Sequence, residues 1–201
     1  MGLHSDEEVI MEFMDIVKGR RSIRKFTSEP VPKEKLEYCM DAALWAPSAQ
    51  NLQPWLFVVL RKDEDIQFLI DTLGTTAFSE RKKLERRFKN NPEIIEETME
   101  FERAMGGSHC IVLAFLRKKY TDDLVPSCTE SVAAAMQNFV LAAYEQGLAT
   151  CWVEAVRRGE KELAARFAPE SGGLVGGIIV GYPNMEPRPI KRKDGRVDWR
   201  E

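Results

Sequence analysis

The sequence predicts a single domain of stacked helix and sheet layers, of the α/β type. Three observations carry that expectation. The chain has 201 residues, 44% of them hydrophobic, which suits one domain with a sizeable core. Four short apolar runs rich in β-formers alternate with segments of helical periodicity. The four cysteines, at 39, 110, 128 and 151, are far apart, inside or beside apolar segments. That spacing offers no close metal-binding pair and reads as small buried hydrophobes in a reducing compartment. No repeat or composition break divides the chain. One domain is therefore expected over 1–201, with a basic C-terminal arm over about 183–201.

A first helix is expected over 6–19, where Val9, Ile10, Phe13, Ile16 and Val17 form one stripe and Gly19 ends it. The basic stretch RRSIRKF follows and is too short for a helix of its own. A second helix is expected over about 32–46. Pro32 suits its first turn, Leu36, Cys39, Met40, Ala43 and Leu44 recur at helical spacing, and Pro47 stops it. After the loop PSAQNLQP, Trp55–Leu60 reads as a buried strand. Residues 64–73 read as a helix, whereas 78–90 is charge-dense. Asn91-Pro92-Glu93 opens a helix that should run to about Met105 and stop at Gly106-Gly107. Ile111–Leu116 is a second buried strand.

The most strongly marked helix is 129–147. Ser127 and Glu130 have capping-box spacing, and Gly147 closes the far end. Val132, Ala135, Met136, Phe139, Val140, Ala143 and Tyr144 make one stripe. Ala133, Ala134, Leu141 and Ala142 make much of the rest apolar. Such a helix is buried on most sides, and a subunit interface is a natural cover for its second face. Cys151–Val156 is expected as a strand, 160–167 as a short helix and 174–181 as a fourth strand. The proline-rich tail should be extended.

Composition also excludes. The net charge is −3, from 29 basic and 32 acidic residues, without the basic excess of a nucleic-acid binder. No apolar run reaches membrane-spanning length, and the acidic start MGLHSDEEVIMEF has no signal-peptide core. A cytoplasmic protein is the expectation. Only His4 and His109 are available, so a histidine triad or multi-histidine metal site has little to draw on. There is no GxGxxG, Walker A loop, HExxH or GxSxG. Any enzyme chemistry should come from a bound cofactor.

Four segments carry polar chemistry. Arg20, Arg21 and Arg24 with Ser22 between them suit a phosphate monoester, although a solvated basic turn would look the same. Pro47-Ser48-Ala49-Gln50-Asn51-Leu52-Gln53 offers amide donors and acceptors for a ring edge or hydroxyl chain, or is an ordinary loop. Trp152-Val153-Glu154-Ala155 taken alone is strand core with Glu154 outward. Pro187-Arg188-Pro189-Ile190-Lys191-Arg192-Lys193 taken alone is a solubilising basic arm.

In this order, RRSIRKF, APSAQNLQPWLFVV, the alanine-rich helix with GLATCWVEA, and GYP followed by PRPIKRK resemble the FMN-dependent nitroreductase family. The resemblance covers about residues 13–195. It implies an α+β, three-layer fold with a central, mostly antiparallel sheet flanked by helices, in a domain-swapped or intertwined homodimer. It implies two FMN sites built at the interface from both chains. Arg20, Arg21, Ser22 and Arg24 match the segment reaching the phosphate and the pyrimidine edge. Pro47, Ser48 and Ala49 match the segment that packs on the flavin from the other subunit. Asn51 and Gln53 match polar positions near the ribityl chain or ring edge. Val153, Glu154 and Ala155 match the strand along the flavin, where a backbone N–H faces N5. Lys191 and Arg192 match the tail positions that close on the phosphate. Ala155 stands where many members have glycine, and 75–107 matches no subfamily.

The resemblance further implies an oxidoreductase taking hydride from NAD(P)H through flavin N5. Electrons then pass to a nitroaromatic, a quinone or a similar small acceptor at one shared site, by a ping-pong mechanism. The cofactor would carry the electron chemistry, and Arg24 would stabilise charge developing near N1 and the C2 carbonyl. Phe78, Phe88 and Phe101 are candidates for a substrate wall, though each also suits a helix core. No metal, membrane or nucleic-acid partner is called for. Two alternatives stay open. One is a relative with different flavin chemistry, by flavin destruction or reductive dehalogenation. The other is a nonenzymatic flavin- or nucleic-acid-binding protein using the basic stretch RKKLERRFK at 81–89.

Overall fold

The computed structural model describes residues 11–187 and 189–200. Four apolar runs pair into one sheet. Its strands are β1 (Trp55–Leu60), β2 (Cys110–Leu116), β3 (Ala149–Val153) and β4 (Gly173–Gly181), in the order β1-β2-β4-β3. Every ladder is antiparallel. Strands alternating with helices suggest parallel βαβ units. The antiparallel ladders make the fold α+β instead, as the family resemblance implies.

The sheet is covered on both faces. Along β2, buried throughout, Cys110, Val112, Ala114 and Leu116 face one core, and Ile111, Leu113 and Phe115 the other. The first core is roofed by α2 (Lys33–Leu44) and α6 (Val125–Glu145). The second is roofed by α3 (Asp63–Gly74), α5 (Pro92–Ala104) and α7 (Glu160–Phe167). Helix, sheet and helix make three layers. The α6 stripe does what its pattern demands: Val132, Ala135, Met136 and Phe139 are fully buried, while Ala133, Ala134 and Leu141 on the other face are only half-buried. Each large apolar side chain buried this way contributes about 1.5–3 kcal/mol.

Several boundaries differ from expectation. Glu12 is extended (ψ 141°), so the first helix is α1 (Phe13–Gly19). Of its expected stripe, Val9 and Ile10 lie outside the described residues. Helix α6 starts at Val125 with Pro126 in its first turn. Ser127 does not cap it; its hydroxyl donates to the Leu124 carbonyl at 3.0 Å. The charge-dense stretch forms α4 (Ala77–Arg87), carrying the i,i+4 pair Arg81–Glu85 and burying only Leu84. Strand β3 starts earlier and ends at Val153, because Glu154 turns helical (φ −79°, ψ −27°). Glu154 and Ala155 therefore lie beyond the strand. A 3₁₀ turn over Ala155–Gly159 follows, its first bond running from the Arg157 N–H to the Glu154 carbonyl at 3.0 Å. The cysteines are free and buried, as their apolar settings predict. Burial pushes the Cys39 and Cys110 thiols up to about 12.

Candidate functional site

The basic stretch after α1 is zipped into the sheet edge. Ser22 bridges Thr150 of β3, and the Ile23 N–H donates to the Thr150 carbonyl at 3.0 Å. Further on, the Phe26 N–H donates to Gly106, the Thr27 N–H to Tyr182 and the Asn184 N–H to Lys25. Burying Ile23 and Phe26 anchors the segment and leaves Arg24 and Lys25 exposed. Gly106 (φ 66°) lies so close that a β-carbon there would clash with the Arg24 carbonyl.

This stretch floors a cleft of about 810 Å³, within the usual size of a small-molecule site. Arg20, Arg21, Ser22, Arg24 and Arg192 line it together, so five of the sequence-predicted residues meet in space. One wall comes from α5, with Glu97, Glu100 and Phe101. Partial burial, then Arg192, then Arg21 hold the Arg20 guanidinium below its ordinary value. No ion pair to Arg20, Arg24 or Arg192 is found among the described residues. The cleft thus sets a basic floor against an acidic α5 wall carrying Glu97 and Glu100. Arg21 is engaged elsewhere: its Nη1 donates to the carbonyls of Lys18, Gly19 and Arg20, closing the C-terminus of α1. Lys191 is exposed beside Arg192 and does not line the cleft.

The second predicted group lies elsewhere in the same chain. Pro47, Ser48, Ala49, Asn51 and Gln53 sit over the first turns of α6. The Ala49 N–H donates to Ser131 Oγ at 3.1 Å, and the Gln53 N–H to Ser48 Oγ at 3.1 Å. Gln53 Nε2 donates to Asn51 Oδ1 at 3.0 Å. Gln50, Asn51 and Gln53 are left-handed (φ 51°, 53° and 45°), each costing about 1–3 kcal/mol where the residue tolerates it poorly.

The third group does not line the cleft and is reached from it along β3. Thr150 pairs with Ser22, and Val153 is three residues further along β3, about 10 Å away. Val153 is buried, Glu154 is exposed and within 3.7 Å of Arg157, and the Ala155 carbonyl accepts from Arg158 Nε at 3.2 Å. Among the candidate aromatics, Phe101 is buried at the cleft wall. Phe78 is exposed beneath Lys82, and Phe88 ends α4. Sequence reasoning missed Met185, whose sulfur accepts from the Arg24 N–H at the cleft, and Arg158, which is central to a half-buried charge cluster behind the α5 wall. Neither lies in a motif, and only the fold brings their partners to them.

The family model described as "Nitroreductase family" matches residues 17–182. The chain belongs to the nitroreductase family. It is 42% identical over 209 aligned residues to a Streptococcus pyogenes protein provisionally named an NAD(P)H nitroreductase, covering 90% of this chain and 95% of that one. A Bacillus subtilis protein with the same provisional name is 28% identical over 180 residues, covering 89% and 88%. In fold, the chain resembles the crystal structure of a nitroreductase with bound FMN from Desulfitobacterium hafniense. The TM-score is 0.75 at 18% identity, covering 96% of this chain and 100% of that one. The nitroreductase match contains Arg20–Arg24, the 47–53 loop and 153–155, and leaves Lys191 and Arg192 beyond its end. Among the described residues no helix is long and apolar enough to cross a membrane.

Proposed function

We propose that this nitroreductase-family chain is an FMN-dependent, NAD(P)H-consuming oxidoreductase of the cytoplasm. Its acceptors are nitroaromatics, quinones or similar small molecules. The observation that carries the reading is the cleft floor, where Arg20, Arg24 and Arg192 gather with Ser22 beside them and, among the described residues, none of the three arginines is ion-paired. That donor set fits a phosphate monoester, which brings nearly two negative charges and several acceptor oxygens. Arg20, Ser22 and Arg192 would hold the phosphate, with Lys191 as a second tail cation. Arg21 would shape the turn that presents them. Val153, Glu154 and Ala155 would lie along the ring. Pro47, Ser48, Ala49, Asn51 and Gln53 of a second copy would close the site in a homodimer.

FMN, when bound, supplies hydride acceptance at N5 and onward two-electron transfer, and the protein supplies placement and electrostatics. Arg24, carried on a backbone anchored by buried Ile23 and Phe26, would meet charge developing at the pyrimidine edge. The α5 wall shields that side from water and limits acceptor size. One face shared by donor and acceptor gives ping-pong kinetics. The purified protein should be yellow, release FMN on denaturation and bleach on anaerobic titration with NADH or NADPH. A colourless protein that FMN cannot reconstitute would overturn the reading. Product analysis with and without oxygen separates acceptor reduction from flavin destruction and reductive dehalogenation.

A further inference from the structure

One half-buried guanidinium joins α4 and the cleft-lining helix α5 to the turn after β3. Arg158 follows the 153–155 backbone, and its side chain is only 14% exposed. Its Nε donates to the Ala155 carbonyl at 3.2 Å. Its Nη1 lies 3.0 Å from Glu80 of α4, and its Nη2 is bonded to Glu102 of α5. Glu80 and Glu102 are themselves 19% and 12% exposed. The turn that carries Arg158 packs closely on α3, where a β-carbon at Gly159 would meet the Thr72 methyl. On α5, Glu97, Glu100 and Phe101 line the cleft while Glu102 points to this brace. A second ion pair between α4 and α5, Arg81–Glu96, is more exposed and reaches neither the sheet nor the turn.

We propose that Arg158 is a positioning residue that cross-braces α4 and α5 to the turn after β3 and so sets the width of the cleft's acceptor side. The claim about the acceptor rests on the flavin reading; the brace itself does not. The charge count explains why arginine stands here. One planar cation hydrogen-bonds Glu102 and the Ala155 carbonyl while ion-pairing Glu80, a combination that a lysine ammonium on a flexible stem does not reproduce. Removing it leaves two poorly solvated carboxylates facing each other, and their repulsion drives α4 and α5 outward.

The test compares wild type with Arg158→Met, Arg158→Lys and the triple variant Arg158→Met/Glu80→Gln/Glu102→Gln. Hydrogen exchange is followed on flavin-free protein, and FMN content and kinetics with nitrofurazone at saturating NADPH are measured on loaded protein. In Arg158→Met, amides over 77–104 should exchange at least about tenfold faster while the strands keep their protection. KM for nitrofurazone should rise about tenfold, with kcat within about twofold and FMN content unchanged. Arg158→Lys should fall between. The triple variant should lie closer to wild type than Arg158→Met, because no buried carboxylate is left unpaired. Unchanged exchange over 77–104, faster exchange spread evenly over the sheet, or an unchanged KM overturns the proposal. Should Arg158→Met fail to fold, Glu102→Gln carries the same test with the same signs. Should wild type take up no FMN, the flavin reading falls, and the exchange measurement still decides the brace.

Discussion

Arg20 sits among charges of its own sign. Burial and the neighbouring Arg192 and Arg21 both disfavour its cationic form, yet a guanidinium stays charged across the accessible pH range. The unbound protein therefore holds repulsion that an anion relieves, and the two states should respond to its loss in opposite ways. Arg20→Ala should weaken FMN binding by about ten- to a hundredfold, the value of a charge-assisted bond of ~1.5–3 kcal/mol. The same substitution should leave the melting temperature of flavin-free protein unchanged or slightly raised. Fluorimetric titration and thermal unfolding read the two effects. Unchanged affinity removes Arg20 from the phosphate site, and a large drop in apoprotein stability makes its role structural. Ser22 and Arg24 were legible at this scale because a serine among arginines is a chemical signal in one dimension. Arg158 was not, since its partners Glu80 and Glu102 are 78 and 56 residues away in sequence.

Among the elements, the loop over 47–53 depends on α6 for its shape. Ser131, only 5% exposed, accepts from the Ala49 N–H at 3.1 Å and donates to the Ser127 carbonyl at 2.7 Å. Ser131→Ala leaves the amide without a partner and should cost about 1–2 kcal/mol in urea unfolding. It should also loosen a loop that already carries left-handed Gln50, Asn51 and Gln53. Loss of less than a few tenths would show that water takes the place of the hydroxyl. The polar character of this loop was readable; its backbone conformation was not, because glutamine rarely adopts positive φ without tertiary support. The boundary errors have the same origin. The run CWVEAV has strand composition to its end, but local i→i+3 bonding takes the chain out of the sheet after Val153. The capping-box spacing at Ser127 was outweighed by a 121–124 turn that bonds directly into α6. Periodicity located the core stripes of α2 and α6 because a buried face must repeat every 3.6 residues. It could not locate ends that depend on single hydrogen bonds.

For the whole molecule, the predicted site residues form separate groups in one chain. The basic floor lies at the β3 edge, and the 47–53 loop lies over α6. Both α1 and α2 pack on α6, and their outer faces carry Phe13 (66% exposed), Leu44 (49%) and Trp45 (81%). Large apolar side chains left open on one helical layer, next to the strained loop, mark an interaction surface. A two-fold partner uses the same patch on both copies, so one contact would carry each loop to the other copy's cleft and complete two sites at once. The wild-type protein should therefore sediment at twice the mass of the chain. Trp45→Glu should place a charge in the centre of the patch, shift the protein toward monomer and release FMN in parallel. Its far-UV circular dichroism should be retained, because Trp45 contributes nothing to either core. Loss of flavin should track dissociation as protein is diluted. A wild-type monomer that retains FMN, or a Trp45→Glu dimer with full flavin content, would show that each chain holds its cofactor alone and that the strained loop serves some other purpose.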